Sequence, residues 1–177
     1  HHSPNSRQNA ASVVAAYENG VFDTLHIHHA DLEGERRMAD ATETALESTG
    51  AEVVGRSTFP EGNQDFSSGI SSIRDSGADA VFMIYNLGGV ISFLTQAIQS
   101  GLKEEMEFIF PMISPQLAEA TSVETAEGVY GTNFFYWRQE NATQFSDQYR
   151  ENSGHRPRWW EAGSYEGAME LLSAIER

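Results

Sequence analysis

The sequence predicts an α/β protein, a three-layer α/β/α unit around a mainly parallel five-stranded sheet. Three junctions carry that expectation. A helix-like stretch stops at or near Ser/Thr-Gly, and an apolar run follows, at Ser48-Thr49-Gly50 before Ala51 to Val54, at Ser76-Gly77 before Ala80 to Ile84, and at Ser100-Gly101 before Phe108 to Phe110. Glycine just past a helix takes the left-handed conformation that ends it without a Cβ clash. The short β-rich run beyond reads as a buried strand. Helices alternating with buried strands imply a parallel sheet covered on both faces. In such sheets ligands bind outside the carboxyl ends of the strands, so the residues after each strand matter most.

Taken in order, Ser6 to Glu18 places Ala10, Val13, Val14 and Tyr17 at helical spacing, and Gly20 ends it. Leu25 to Ala30 reads as the first strand. Glu33 to Glu47 carries Met38, Ala41, Ala45 and Leu46 on one face, a second helix. Glu52 to Phe59 is a second strand, closed by a turn at Pro60 and Gly62. Asp65 suits the start of a third helix through Phe66, Ile70 and Ile73, because its carboxylate can accept amide hydrogens of the first turn. The strand Ala80 to Tyr85 precedes a helix from Gly89 to Ser100 with Ile91, Leu94 and Ile98 inward. A fourth strand at Phe108, a short helix near Gln116 to Ala120 and a fifth strand at Val129 to Phe135 complete the series. Two helices end the chain, Asn141 to Glu151 and about Trp160 to Glu176, parted by Gly154 and Pro157.

Composition narrows the function classes. The 177 residues carry 26 acidic and 11 basic side chains, a formal net charge of −15, and Lys103 is the sole lysine. Such a surface repels phosphate backbones and anionic lipid, which argues against nucleic-acid or membrane-surface partners. Acidic excess with almost no lysine resembles proteins of salt-loving organisms; an ordinary acidic protein gives the same count. Absence of cysteine excludes disulfides, thiol nucleophiles and thiolate metal sites. The longest apolar stretch, Ala80 to Leu94, is broken by Asn86 and Gly88-Gly89, so it reads as strand, loop and helix rather than a membrane span. His1-His2 resembles the end of an expression tag, and the native amino terminus is expected upstream.

Several side chains invite chemistry. His26 and His28 share one face of the first strand beside His29. A catalytic zinc needs a third ligand and an open position, and no HExxH-like spacing supplies it, so a helix-covered strand with partly satisfied imidazoles is the favoured reading. Trp159 and Trp160, beside Arg156 and Arg158, form either a stacking surface or packing at the start of the last helix. Asn141-Ala142-Thr143 fits both a glycosylation acceptor and a helix cap. There is no GxGxxG after the first strand, no GxxxxGK[ST] loop and no GxSxG elbow. Nothing brings nucleophile, base and orienting acid together at recognisable spacing, so no catalytic residue is assigned and no enzyme is expected.

The order of elements, together with several local strings, resembles the substrate-binding proteins of branched-chain amino-acid ABC transporters, the type I periplasmic binding fold. The strings are Asp31 with Gly34, Gly50-Ala51-Glu52-Val53-Val54, Asp65-Phe66, Ala78-Asp79-Ala80-Val81, Gln96-Ala97 with Gly101-Leu102, Gly128-Val129-Tyr130-Gly131, Phe145 with Tyr149, and Pro157 with Tyr165 and Ala168. The resemblance implies two α/β lobes that close on a ligand. Residues 1–5 would be tag remnant and crossover, 6–135 the carboxy-terminal lobe, and 136–177 a return segment toward an amino-terminal lobe lying outside this sequence. It further implies an extracytoplasmic, lipid-anchored protein, a permease partner, a small-molecule ligand, and no cofactor or metal. An effector-binding sensory domain of the same fold would share these residues, and a flavodoxin-like enzyme is a more distant alternative.

By the same resemblance, ligand contacts lie in the loops after the first, third and fourth strands. The residues are Asp31, Leu32 and Glu33; Tyr85, Asn86 and Leu87; and Met112. Amino-acid binders of the family carry an aromatic residue before the glycine of the first loop and an acid after the proline of the fourth, where this chain has Glu33 and Met112. Either Glu33 or Asp31 reads a ligand amine, or the ligand is a small amide, an aromatic acid or another neutral solute. Each position also has a plainer role. Glu33 and Asp31 suit a helix amino terminus, Tyr85 and Asn86 a turn, and Met112 core packing.

Overall fold

A computed structural model of the chain describes residues 6–111, 113, 122, 125, 127–132, 135–136, 138–140 and 142–175. The chain divides into two compact units, the larger Pro4–Thr132 and the smaller built on Asn133–Arg177.

The larger unit alternates helices and strands. Its elements are α1 (Ser6–Glu18), β1 (Thr24–Ala30), α2 (Glu33–Leu46), β2 (Glu52–Phe59), α3 (Ser67–Asp75), β3 (Ala80–Ile84), α4 (Leu87–Gln99), a 3₁₀ turn (Leu102–Glu104), β4 (Glu107–Phe110) and β5 (Val129–Gly131). The five strands form one sheet in the order β2-β1-β3-β4-β5, every pair parallel. The expected three-layer α/β/α architecture is therefore what the chain adopts.

Strand β3 shows why. All five of its residues, Ala-Val-Phe-Met-Ile, are buried. Val81 and Met83 pack with Ile70 and Ile73 of α3 and with Val90, Phe93, Leu94 and Ala97 of α4. Ala80, Phe82 and Ile84 pack on the opposite face with Val13 of α1 and Ala39 and Leu46 of α2. A strand covered on both faces has no reason to alternate apolar with polar, which is why the run is continuously hydrophobic. Burying each of Phe82, Phe93 and Phe108 fully contributes roughly 2–3 kcal/mol of transfer free energy.

The amino ends of β1 and β3 are tied by one carboxylate. Asp79 Oδ2 accepts from the Thr24 amide (2.9 Å), the Thr24 hydroxyl (2.9 Å) and the Asp23 amide (3.2 Å). At the start of α3, Asp65 Oδ1 accepts from the Ser67 amide at 2.9 Å, as anticipated, although Phe66 holds the cap position itself.

Several boundaries differ from expectation. Helix α4 begins at Leu87, two residues before Gly89, because the Asn86 side chain caps it. Packing sets the inward face at Val90, Phe93, Leu94 and Ala97, while Ile98 is 40% exposed. Strand β5 spans Val129–Gly131 and does not reach Phe135 among the described residues. The short helix at Gln116 to Ala120 lies outside the described residues. Of the three punctuating glycines, Gly77 (φ 65°) and Gly101 (φ 77°) adopt the left-handed conformation and Gly50 does not. At Gly50 space is what matters, since a Cβ would lie 2.5 Å from the Tyr17 hydroxyl.

The smaller unit holds α5 (Thr143–Ser153) and α6 (Trp159–Ile175), with Gly154 (φ 79°) ending α5. The rings of Phe145 and Tyr165 stack at 4.5 Å. Along α6 only Ala162 is buried, and Met169, Leu171, Leu172 and Ile175 are exposed. Among the described residues no helix is long and apolar enough to cross a membrane.

Candidate ligand-binding site

The strand order fixes where a crevice opens. From β1 the chain crosses to β2 on one side and then returns to β3 on the other, so the connections leaving β1 and β3 diverge. Divergence of this kind leaves a gap outside the carboxyl ends of the two strands, the place where ligands enter open α/β sheets. His29 pairs with Ile84 in the register, which sets Asp31 and Tyr85, the residues just past these strands, at the same edge.

The first loop is short and charged. The Asp31 amide donates to Phe59 O at 2.7 Å, and its carboxylate lies 3.7 Å from Arg36 Nε, both side chains more than half exposed. Glu33 opens α2 and pairs with Arg37 one turn on. Each acid thus has an arginine partner. Exposed pairs of this kind are worth only ~0–1 kcal/mol, so a ligand cation could exchange for the arginine at little cost. Leu32 takes the cap position of α2, offers no side-chain cap, and packs against the core beneath.

The second loop is more committed to structure. The ring of Tyr85 meets Phe59 edge-on at 5.0 Å, and its hydroxyl accepts from the Gly62 amide at 2.8 Å. A Cβ at Gly89 would come within 1.8 Å of the Tyr85 ring, so the ring lies directly on the α4 backbone. Asn86 is exposed and its Oδ1 accepts from the Gly89 amide at 3.0 Å. Leu87 is the first residue of α4. Met112 of the third loop lies outside the described residues. Beside it, the Thr132 hydroxyl donates to Pro111 O at 2.8 Å and the Ile113 amide to Thr132 O at 2.9 Å.

One anchoring residue was not assigned a role from sequence. Gln96 accepts from the Phe66 amide (2.8 Å) and donates to Gln64 O (2.8 Å), fastening the turn before α3 to α4. Its partners lie about thirty residues away in the chain, so no local pattern reports them.

The strand histidines are engaged by neighbouring groups of the sheet. His26 and His28 are buried and both bond to the Ser57 hydroxyl, at 2.7 and 2.8 Å. His29 faces the other side of the sheet, bonded to Ala30 O and to Arg56 Nε. Among the described residues no group of three His, Asp or Glu could hold a metal ion. Trp159 and Trp160 meet edge-on at 5.6 Å, with the Arg158 guanidinium 5.5 Å from the Trp160 ring. Asn141 lies outside the described residues.

The comparisons with known proteins agree with the fold. A family model described as periplasmic binding protein matches residues 1–177, and the chain belongs to that family. No curated protein matches it. Among solved structures, a branched chain amino acid ABC transporter periplasmic ligand-binding protein from Burkholderia xenovorans is similar, with TM-score 0.88, 23% identity, and coverage of 97% of this chain and 46% of that one. A leucine binding protein from Thermotoga maritima gives TM-score 0.82 at 25% identity, over 98% of this chain and 50% of its own. A branched-chain amino acid transporter substrate binding protein from Streptococcus pneumoniae, in complex with isoleucine, gives 0.74 at 17% identity, over 90% and 46%. The chain spans about half the length of the solved structures it matches.

Proposed function

We propose that this chain is the ligand-gripping carboxy-terminal lobe, residues 6–135 with a return segment at 136–177, of an extracytoplasmic, lipid-anchored solute-binding protein that delivers its ligand to an ABC importer. What supports the reading is the strand order, which sets the loops after β1 and β3, carrying Asp31, Glu33, Tyr85 and Asn86, at one edge of the sheet, in a chain matched over its whole length by the periplasmic binding protein family. The role is capture by closure: contacts from this lobe and from an amino-terminal lobe both strengthen when the two close on a solute. Only a ligand that binds the closed state better shifts the equilibrium toward it. The permease then recognises the closed form.

The ligand we favour is an amino acid or a related small solute. Two exposed carboxylates at the rim, each held only by a surface arginine, supply counter-charge for an ammonium group without a buried acid. Thermal melting of the full-length protein against leucine, other amino acids, short amides and aromatic acids tests this. A ligand at a hundred times its dissociation constant adds about 2.7 kcal/mol, a clear rise in Tm. A shift with amino acids supports the whole reading. A shift confined to amides or aromatic acids keeps the binding protein and discards the amine-reading carboxylates. No shift across the panel overturns the solute-binding role.

A further inference from the structure

Two buried imidazoles share a single hydroxyl. His26 Nε2 and His28 Nδ1 both contact Ser57 Oγ, which has only one hydrogen to give. When Ser57 donates to His26, His28 must donate to Ser57, and the reverse holds in the alternative arrangement. Either way the outer nitrogens, His26 Nδ1 and His28 Nε2, are left buried without partners. Close-packed glycines make room for both rings. A Cβ at Gly55 would stand 2.4 Å from His26 Nδ1, and one at Gly69 of α3 would stand 2.6 Å from the His28 ring.

The His26 ring backs onto a cleft, with Nδ1 itself covered. A cleft of about 590 Å³ between the edge strand β2 and α3 is lined by His26, Gly55, Ser68, Ser71, Ser72 and Asp75. His28 lies deeper, its ring 4.8 Å from Phe59, 5.7 Å from Phe93 and 6.3 Å from Phe66. A proton entering at His26 Nδ1 can therefore move inward without any heavy atom shifting: His26 gives its Nε2 hydrogen to Ser57, and Ser57 passes its own to His28 Nδ1. Charge then appears on His28, among three aromatic rings.

The geometry points to an acid-operated latch: the His26–Ser57–His28 relay clamps α3 to the sheet while neutral and releases α3 and the end of β1 when it takes up a proton from the β2–α3 cleft. The charged groups around the relay do little to hold a cation there. Asp75 lines the cleft outside, whereas Arg74 is engaged by Glu105 and the Ser100 carbonyl. Arg56 borders the cleft with its guanidinium turned to Asp40, Glu43 and His29 on the opposite face. Neither β3 nor α4 contributes an ionisable side chain. Burial accordingly holds His26 and His28 down at about 4, with the neighbouring imidazoles His26 and His29 adding to the effect at His28. Because these values lie below the ordinary 6.5, the relay's stabilisation is complete above about pH 6.5 and is lost as pH falls toward about 4.

The test follows the histidine ring signals by NMR in the intact protein on acidification, together with denaturant melts and amide exchange corrected for its intrinsic pH dependence. In wild type both rings stay neutral through about pH 5, and the folding constant falls by nearly a hundredfold per pH unit there; His28→Gln reduces this to about tenfold. Amides of α3 lose protection before those of β3. In Ser57→Ala the shared proton path between the rings is lost, and only their through-space repulsion still couples the two titrations. A ring that titrates near its ordinary value in the folded wild-type protein overturns the latch, and that readout needs no variant to fold. So does a slope unchanged by His28→Gln, or α3 protection that persists until global unfolding.

Discussion

Tyr85 and Asp79 show how single side chains hold this fold in register. Tyr85 spans from the end of β3 to the turn after β2, and the bond from the Gly62 amide to its hydroxyl has no substitute in phenylalanine. Tyr85→Phe is expected to cost about 1 kcal/mol in a denaturant melt, since the ring contact with Phe59 survives and only the polar bond is lost. Asp79 does the same at the other edge of the sheet. Its carboxyl is held below the usual range, first by the Thr24 hydroxyl, then by the Thr24 and Asp23 amides. A depressed carboxyl stabilises the fold above its ordinary value and loses that contribution as pH falls through it. Its effect therefore belongs below about pH 4, separate from the histidine window above it. Asp79→Asn should lower stability by roughly 1 kcal/mol near neutral pH and flatten the pH dependence in that acid range.

At the level of elements, α4 is the most instructive. The apolar run Val90 to Ala97 announces a buried helix, and the glycines before it announce a loop, yet the cap is Asn86 rather than a residue nearer Gly89. The inward face centres on Val90, Phe93, Leu94 and Ala97, with Ile91 at its border and Ile98 40% exposed. Periodicity gave the helix; the cap contact set its start, and long-range packing set its buried face. The same limit governs the site. The loops after β1 and β3 follow from the strand order, whereas the Tyr85–Gly62 bond joins residues 23 apart, and nothing local in the sequence reports it. The Glu33–Arg37 pair, by contrast, sits at a helical spacing open to inspection. Gly89 is where α4 and the site meet. Gly89→Ala forces the Tyr85 ring off the helix and is expected to cost about 1–3 kcal/mol by denaturant melt, while Phe93→Ala, which empties the core beneath, should cost about 3–5 kcal/mol.

For the whole molecule, charge is the dominant variable. A net charge of −15 on 177 residues makes surface repulsion a standing cost, and salt screens it within a Debye length of ~10 Å at 0.1 M. The melting temperature of the intact protein is expected to rise with sodium chloride well beyond the first 0.1 M; a flat profile would show that pairs such as Arg56–Asp40 and Arg74–Glu105 already balance the surface.

The first strand of the sequence is an interior strand of the sheet, flanked by β2 and β3. Thr24 of β1 waits for Asp79, 55 residues later, before its amide finds a partner, and β4 and β5 have no edge to join until β3 has docked. Closing such long loops must precede the contacts that reward them, so assembly is paced by a distant encounter rather than by helix growth. During that interval the edge of β1 that β3 will cover stays open. Time spent waiting, more than final stability, then sets how readily copies of this chain stick to one another as they fold.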